Sequence, residues 1–270
     1  MTADMSGVSA ERAAELADAL AALKARVDRA AQAAGRDSAE VRLLPITKFF
    51  PASDVLALYG LGCRDFGESR EQEASKKIAD VAAAGADDPI RWHMVGRIQR
   101  NKAKAVAQWA YSAHSVDSAK VVAALDRAAG EALDGGVRSA LLRVYLQLSL
   151  DGDVDRGGVD VHRPDEVDAL CAALDAAAAL EFTGFMAIPP LGADPGAAFA
   201  RLGEERDRVQ PSYRQWLELS AGMSGDLEAA IEHGSSCVRV GTALMGQRPL
   251  ASPGVVTPVT SSSQTPQLDV

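Results

Sequence analysis

The feature that most constrains this chain is a repeated change of period. Short runs rich in β-branched and apolar residues recur at 41–47, 63–66, 90–95, 111–115, 140–148, 182–188, 217–221 and 237–240. Alanine-rich stretches of helical character separate them at 53–58, 71–84, 118–131, 164–180, 196–209 and 226–232. A strand followed by a crossover helix returns parallel to its neighbour, so the alternation specifies a parallel sheet with helices packed outside it. Eight strand candidates favour closure into a (β/α)8 barrel, which uses about 250 residues as one domain. The 270 residues present suit one such barrel. The rival, an open doubly wound sheet, usually carries a Gly-rich loop after its first strand. Here Ile46-Thr47-Lys48-Phe49-Phe50-Pro51 stands instead. Ahead of the first strand, Ser9 is placed to cap a helix with Glu11 in its first turn. Leu16, Leu20, Leu23 and Val27 make its apolar face, and Gly35 is placed to end it. The expected organisation is one α/β barrel domain over 9–250 with an extra N-terminal helix. The Ser-, Thr- and Pro-rich stretch 251–270 is expected to be a flexible, disordered tail.

A formal net charge of −9 gives no field that would draw the chain to nucleic acid or an anionic membrane. Any anionic ligand must therefore be caught by a local arrangement. No run approaches the ~18 apolar residues of a membrane span, and no basic-then-apolar leader is visible. Cys63, Cys171 and Cys237 are odd in number and far apart, which suits a reduced, cytoplasmic protein. No metal is expected, because His and carboxylates show no ligand spacing.

Lys48 ends the first strand, where a barrel presents its functional side chains. Leu43, Leu44, Pro45 and Ile46 precede it, so it emerges from apolar surroundings. Desolvation favours a neutral amine, the form that attacks an aldehyde, although a lysine there can also simply snorkel to the rim. The seventh and eighth strand ends carry Ser220-Ala221-Gly222-Met223-Ser224-Gly225-Asp226 and Val238-Arg239-Val240-Gly241-Thr242-Ala243. Barrels often hold phosphate between these two ends, at a helix N-terminus. Ser224 and Gly225 would open the helix 226–232, while Gly241 and Thr242 offer backbone N–H and hydroxyl donors. Arg239, between two valines, is open to two readings: a donor to a ligand's ring nitrogen, or an interior arginine paired with a carboxylate. At the third strand, Trp92-His93-Met94-Val95-Gly96-Arg97-Ile98-Gln99-Arg100-Asn101-Lys102 gathers a polar, cationic junction. His114 serves either the site or the core through backbone bonds. The run from Asp151 to Gly158 resembles a calcium loop, but His162 occupies the twelfth position where glutamate is needed, so it is read as an acidic loop.

Taken in order, several blocks resemble the YggS/PROSC family of pyridoxal 5′-phosphate (PLP) homeostasis proteins, related to the barrel of alanine racemase. They are Ile46-Thr47-Lys48, Phe66-Gly67-Glu68-Ser69, Trp92-His93-Met94-Val95-Gly96 with Gln99 and Asn101-Lys102, His114-Ser115-Val116-Asp117, Gly184-Phe185-Met186-Ala187-Ile188-Pro189, Leu219-Ser220-Ala221-Gly222-Met223-Ser224, and Val238-Arg239-Val240-Gly241-Thr242-Ala243. The resemblance implies PLP held as a Schiff base on Lys48, with Arg239 facing the pyridine nitrogen and Ser224, Gly241 and Thr242 on the phosphate. Ser69 and His93 complete the expected cofactor-binding set. Ser69 stands where the family usually has Asn, and Asp155 and Arg156 replace the family's Glu and Lys. The implied role is intracellular PLP homeostasis and amino-acid balance by a monomer without robust catalytic activity, with PLP-dependent apoenzymes as partners. The alternatives are an amino-acid racemase and a sugar-phosphate-binding barrel that leaves Lys48 idle. Against the racemase, Ala52 stands where related racemases place a tyrosine, and a tail is expected in place of their β domain.

Overall fold

A computed structural model describes residues 7–86, 88–153 and 157–247. The strands are β1 (Arg42–Pro45), β2 (Asp65–Glu68), β3 (Arg91–Met94), β4 (Ser112–Val116), β5 (Leu142–Ser149), β6 (Val159–Asp160), β7 (Leu180–Ala187), β8 (Glu218–Ser220) and β9 (Cys237–Val240). All pair in parallel in the order β1-β9-β8-β7-β5-β4-β3-β2, with β6 added beside β5. The Ile46↔Gly67 bridge joins the two ends, which makes the predicted barrel. Each of the predicted strands is present, while the two-residue β6 is too short to leave a periodic trace. Residues 251–270, together with Asp155 and Arg156, lie outside the described residues.

The helices are α1 (Ala10–Ala33), α2 (Ala52–Gly60), α3 (Glu71–Ala83), α4 (Ala103–Trp109), α5 (Ala119–Asp134), α6 (Pro164–Asp175), α7 (Pro195–Val209), α8 (Leu227–Glu232) and α9 (Thr242–Met245). The predicted helix over 164–180 stops at Asp175, because Leu180 already belongs to β7. α4 was hidden beside the cationic junction, since one buried triplet, Ala103, Val106 and Ala107, is too little periodicity to declare a helix. α8 begins one residue later than expected. Its N-cap Asp226 turns back and accepts from the Met223 N–H at 2.5 Å.

Strand alternation divides the core. Leu44, Ile46 and Cys237 pack together inside the ring, whereas Phe66, Trp92, Val238 and Val240 face the helix layer with residues of α1 and α2. No helix among the described residues is long and apolar enough to cross a membrane.

α1 forms as its sequence dictates. Ser9 Oγ accepts from the Arg12 N–H at 3.1 Å, and Gly35 follows the C-terminus at φ +68°. Its apolar stripe packs on α2, α8 and α9, and Arg12 ties it to buried Asp54 (2.8 Å) and to the Met245 carbonyl (2.9 Å). The helix is thus built into the barrel wall. Leu16 is fully buried, and Leu16→Ala should lower unfolding stability by about 2–5 kcal/mol in urea titration. A loss below about 0.5 kcal/mol would mean that α1 is a loosely docked appendage.

Candidate functional site

The C-terminal rim of β1 carries Lys48, half-buried on a tight turn. The Phe50 N–H donates to the Thr47 carbonyl at 3.1 Å, and Phe49 between them has φ +71°. Among the described residues it is the one non-glycine with positive φ. That conformation costs roughly 1–2 kcal/mol, so the surrounding contacts must enforce it. Lys48 Nζ and the Arg70 guanidinium lie 5.7 and 5.4 Å from the centroid of the Phe49 ring.

Beside this turn lies a cup of donors. A Cβ on Gly241 would sit 3.7 Å from Ile46 Cβ, so the start of α9 adjoins the end of β1. Ser224 reaches over from the loop after β8, and its Oγ accepts from the Ala243 N–H at 3.1 Å. Ser224, Gly241 and Thr242 are therefore brought together as predicted, with Thr242 exposed at the first position of α9. First-turn N–H groups lack intrahelical acceptors, which makes such a corner suited to anionic oxygens. Two features fix the cup. Gly222 has φ +92°, and a Cβ there would lie 2.6 Å from Ala230, so only glycine lets the loop lie flat on α8. From α1, Arg26 donates to the Ser224 carbonyl at 2.9 Å and pairs with Glu228 at 2.7 Å.

Arg239 points into the barrel beneath the rim and is only 6% exposed. Its Nη1 donates to the carbonyl and to Oγ of Ser220 (2.9 Å to Oγ), and Nη2 donates to the Ala187 carbonyl at 3.0 Å. None of these partners is a carboxylate, which removes the ion-pair reading. Burial pushes its pKa down from the ordinary value, yet a guanidinium stays charged. A buried cation with only neutral acceptors leaves room for a lone pair or an anion.

A chain of donors continues downward from Arg239. Asp65 is ionised: burial would raise its pKa, but hydrogen bonds from Arg91 and His93 outweigh that and hold it below the usual carboxylate range. It therefore accepts from His93 Nε2–H at 3.0 Å. Burial keeps His93 and His114 neutral, so each imidazole has one donor and one acceptor nitrogen. His114 Nε2–H then donates to His93 Nδ1 at 2.9 Å, and Ser220 Oγ–H donates to His114 Nδ1 at 2.8 Å. Every donated proton points from Arg239 towards Asp65 at the N-terminal end of β2. Tyr145 stacks on His114 at 4.3 Å and locks its plane.

This order relocates one predicted residue. His93 is fully buried with both ring nitrogens engaged, so it stands in the supporting chain and not at the rim. His114 bonds to side chains instead of backbone. Ser69 does lie at the rim, half-buried above β2. A Cβ on Gly96 would fall 2.0 Å from the Ser69 carbonyl, so the loops after β2 and β3 are pressed together there. A cavity of about 380 Å³ opens beside them, lined by Ser69, Met94, Gln99 and Lys102 among others. Sequence reasoning missed Ser220 and Asp65 as parts of the chain, because neither belongs to a local pattern with His93 or His114.

The same architecture recurs in characterised chains. Residues 19–249 match the family model for the alanine racemase N-terminal domain. A pyridoxal phosphate homeostasis protein of Mycobacterium tuberculosis is 55% identical over 259 residues, covering 94% of this chain and 100% of that one. A protein of the same name from Corynebacterium glutamicum is 43% identical over 230 residues, or 85% of this chain and 100% of its own. The PLP-bound structure of PipY from Synechococcus elongatus superposes with a TM-score of 0.71 at 31% identity, over 86% of this chain and 100% of PipY. An alanine racemase from Corynebacterium glutamicum shares the fold alone, with a TM-score of 0.57 and 18% identity over 88% of this chain and 63% of that one.

Proposed function

The chain belongs to the pyridoxal phosphate homeostasis proteins, and on that footing we propose that it holds PLP covalently through Lys48 and serves the cellular supply of this cofactor. The observation that carries the reading is the closeness of Gly241 to Ile46, which sets a cup of donors beside the strand that ends in Lys48. The donor set suits the cofactor's parts. Lys48 offers an amine for the aldehyde, and Ser224, Gly241 and Thr242 offer hydroxyl and N–H donors for the phosphate. Arg239 supplies a donor, with no competing carboxylate, for the pyridine nitrogen. Ser69, at the rim after β2, would offer a hydroxyl to the cofactor where the family usually has the longer amide of Asn. His93 acts through His114 and Ser220 by keeping Arg239 still.

Bound PLP supplies an aldehyde that captures amines and a ring that withdraws electrons. A protein that keeps this aldehyde on its own lysine protects the cell from a reactive free carbonyl while leaving the cofactor recoverable. We extend the reading to a cytoplasmic monomer that supports PLP-dependent apoenzymes and amino-acid balance.

The cup gives a direct test. Ser224→Ala and Thr242→Ala should each remove a charge-assisted hydrogen bond worth about 1.5–3 kcal/mol, or roughly tenfold to a hundredfold in PLP affinity. Pyridoxal, which lacks the phosphate, should bind far more weakly to wild type and lose little more in either variant. Equilibrium titration with both compounds reads the difference. Equal losses for PLP and pyridoxal would remove the phosphate from the cup.

A further inference from the structure

β1 and β2 meet along a thin seam where the barrel closes. Their backbone contact is confined to the Ile46↔Gly67 bridge and the Thr47 N–H that donates to the Gly67 carbonyl at 3.0 Å. On the helix side of this seam three side chains converge. Lys77 Nζ donates to Glu68 Oε1 at 2.6 Å and to the Thr47 carbonyl at 2.7 Å, and Thr47 Oγ1 donates to the same Oε1 at 2.7 Å. All three residues are buried, Thr47 and Glu68 completely. Lys77 arrives on the core-facing stripe of α3 between Ala74 and Val81, a place where the spacing calls for an apolar residue.

Packing alone does not explain an ammonium there, since a hydrophobic side chain stabilises such a position at least as well as a buried ion pair. What the cation adds is a bond to one particular carbonyl. That oxygen belongs to the peptide joining Thr47 to Lys48, and it also accepts from the Phe50 N–H that closes the turn. The strained Phe49, at φ +71°, lies inside the same turn.

We propose that Lys77 is a positioning residue for Lys48: by holding the Thr47 carbonyl it fixes the peptide plane from which Lys48 leaves β1, so that the amine meets the phosphate cup in one orientation. The inference rests on Lys48 as the attachment residue. Thr47 and Glu68 complete the device, Glu68 by anchoring the ammonium and Thr47 by donating its hydroxyl to the same Glu68 Oε1 that holds Lys77.

The test uses the full-length protein loaded with PLP. Lys77→Met alone strands a buried carboxylate, so the informative variant is Lys77→Met combined with Glu68→Gln, which leaves no unpaired charge. The double variant should fold, lose roughly tenfold or more in PLP affinity, and show weakened induced circular dichroism per bound cofactor. A role confined to stability would shift the melting temperature and leave the dichroism of the bound cofactor unchanged. Should the double variant fail to fold, Lys77→Arg keeps a cation opposite Glu68 but places a larger group against the Thr47 carbonyl, and the same loss of dichroism is expected. A folded variant of either kind with wild-type affinity and dichroism overturns the proposal. Borohydride labelling of the wild type reads the premise separately. A label away from Lys48 removes the attachment reading and this inference with it, whereas a label on Lys48 with unaltered variants removes this inference alone.

Discussion

Lys48→Ala protein purified in the presence of PLP should be colourless and should take no borohydride label, whereas wild type should be yellow and carry the reduced pyridoxyl group on the Lys48 peptide. The remaining lysines argue for a complete loss and against transfer of the cofactor to a neighbour. Lys77 is committed to Glu68 and the Thr47 carbonyl. Lys102 pairs with Glu71 and Lys104 with Glu131, while Lys76 and Lys120 are exposed on helices α3 and α5. Lys24 borders a cavity between α1 and the N-terminal ends of β1 and β2. Only Lys48 stands at the rim formed by β1, β9 and the loop after β8. The cup and Arg239 survive in the variant, so PLP should still bind reversibly and weakly, and gel filtration should strip it. Peptide mapping decides the matter: a stoichiometric label on any lysine of the Lys48→Ala variant would end the assignment.

The parts of this site that could be read from the sequence are those whose residues lie together along the chain. Strand alternation placed the ends of β1, β8 and β9 on one rim, and Ser224, Gly241 and Thr242 lie there because each is within a few residues of a strand end. His93 shows where such reading stops. The polar, cationic run Arg97–Lys102 that follows suggested a place at the strand-to-helix junction, but strand parity turns the ring inward, and partners from β2 and β4 take both nitrogens. Asp65, His114 and Ser220 come from three strands that are distant in sequence, and no local pattern couples them. Lys77 was legible only as a misfit, a charged residue on the apolar stripe of α3. Its meaning depends on the β1–β2 seam, which is a property of barrel closure. α4 escaped notice for a simpler reason. Seven residues give too few turns for a period to emerge against the flanking charges.

Turnover of free amino acids should be negligible even with PLP fully bound, and the reasons lie on both faces of the site. Racemisation requires a proton to leave one face of the substrate and another to arrive on the opposite face, each moved by a positioned acid or base. Lys48 can serve one face. The sequence contains four tyrosines, and the structure occupies all of them elsewhere. Tyr59 accepts from the Asp88 N–H, and Tyr111 accepts from Arg143 near the N-terminal mouth. Tyr145 stacks on His114 and donates to Glu218, while Tyr213 donates to Asp175 at 2.9 Å. Burial, reinforced by these carboxylates, raises the phenol pKa values of Tyr145 and Tyr213, so neither is a base near neutrality. The histidines give no ready substitute: His93 and His114 are sealed in the donor chain, His162 is engaged by Asp160 at 2.9 Å, and His233 ends α8. In the role proposed for it, Arg239 would add a second handicap. A guanidinium facing the pyridine nitrogen disfavours a proton there, because two cations would adjoin, and the ring becomes a weaker electron sink. A missing acid or base partner typically lowers the rate about 10²–10⁴-fold. A chiral assay of the holo-protein across common amino acids, carried into alkaline pH, should therefore show no sustained conversion. Racemisation at ordinary enzyme rates, abolished by Lys48→Ala, would overturn the carrier reading.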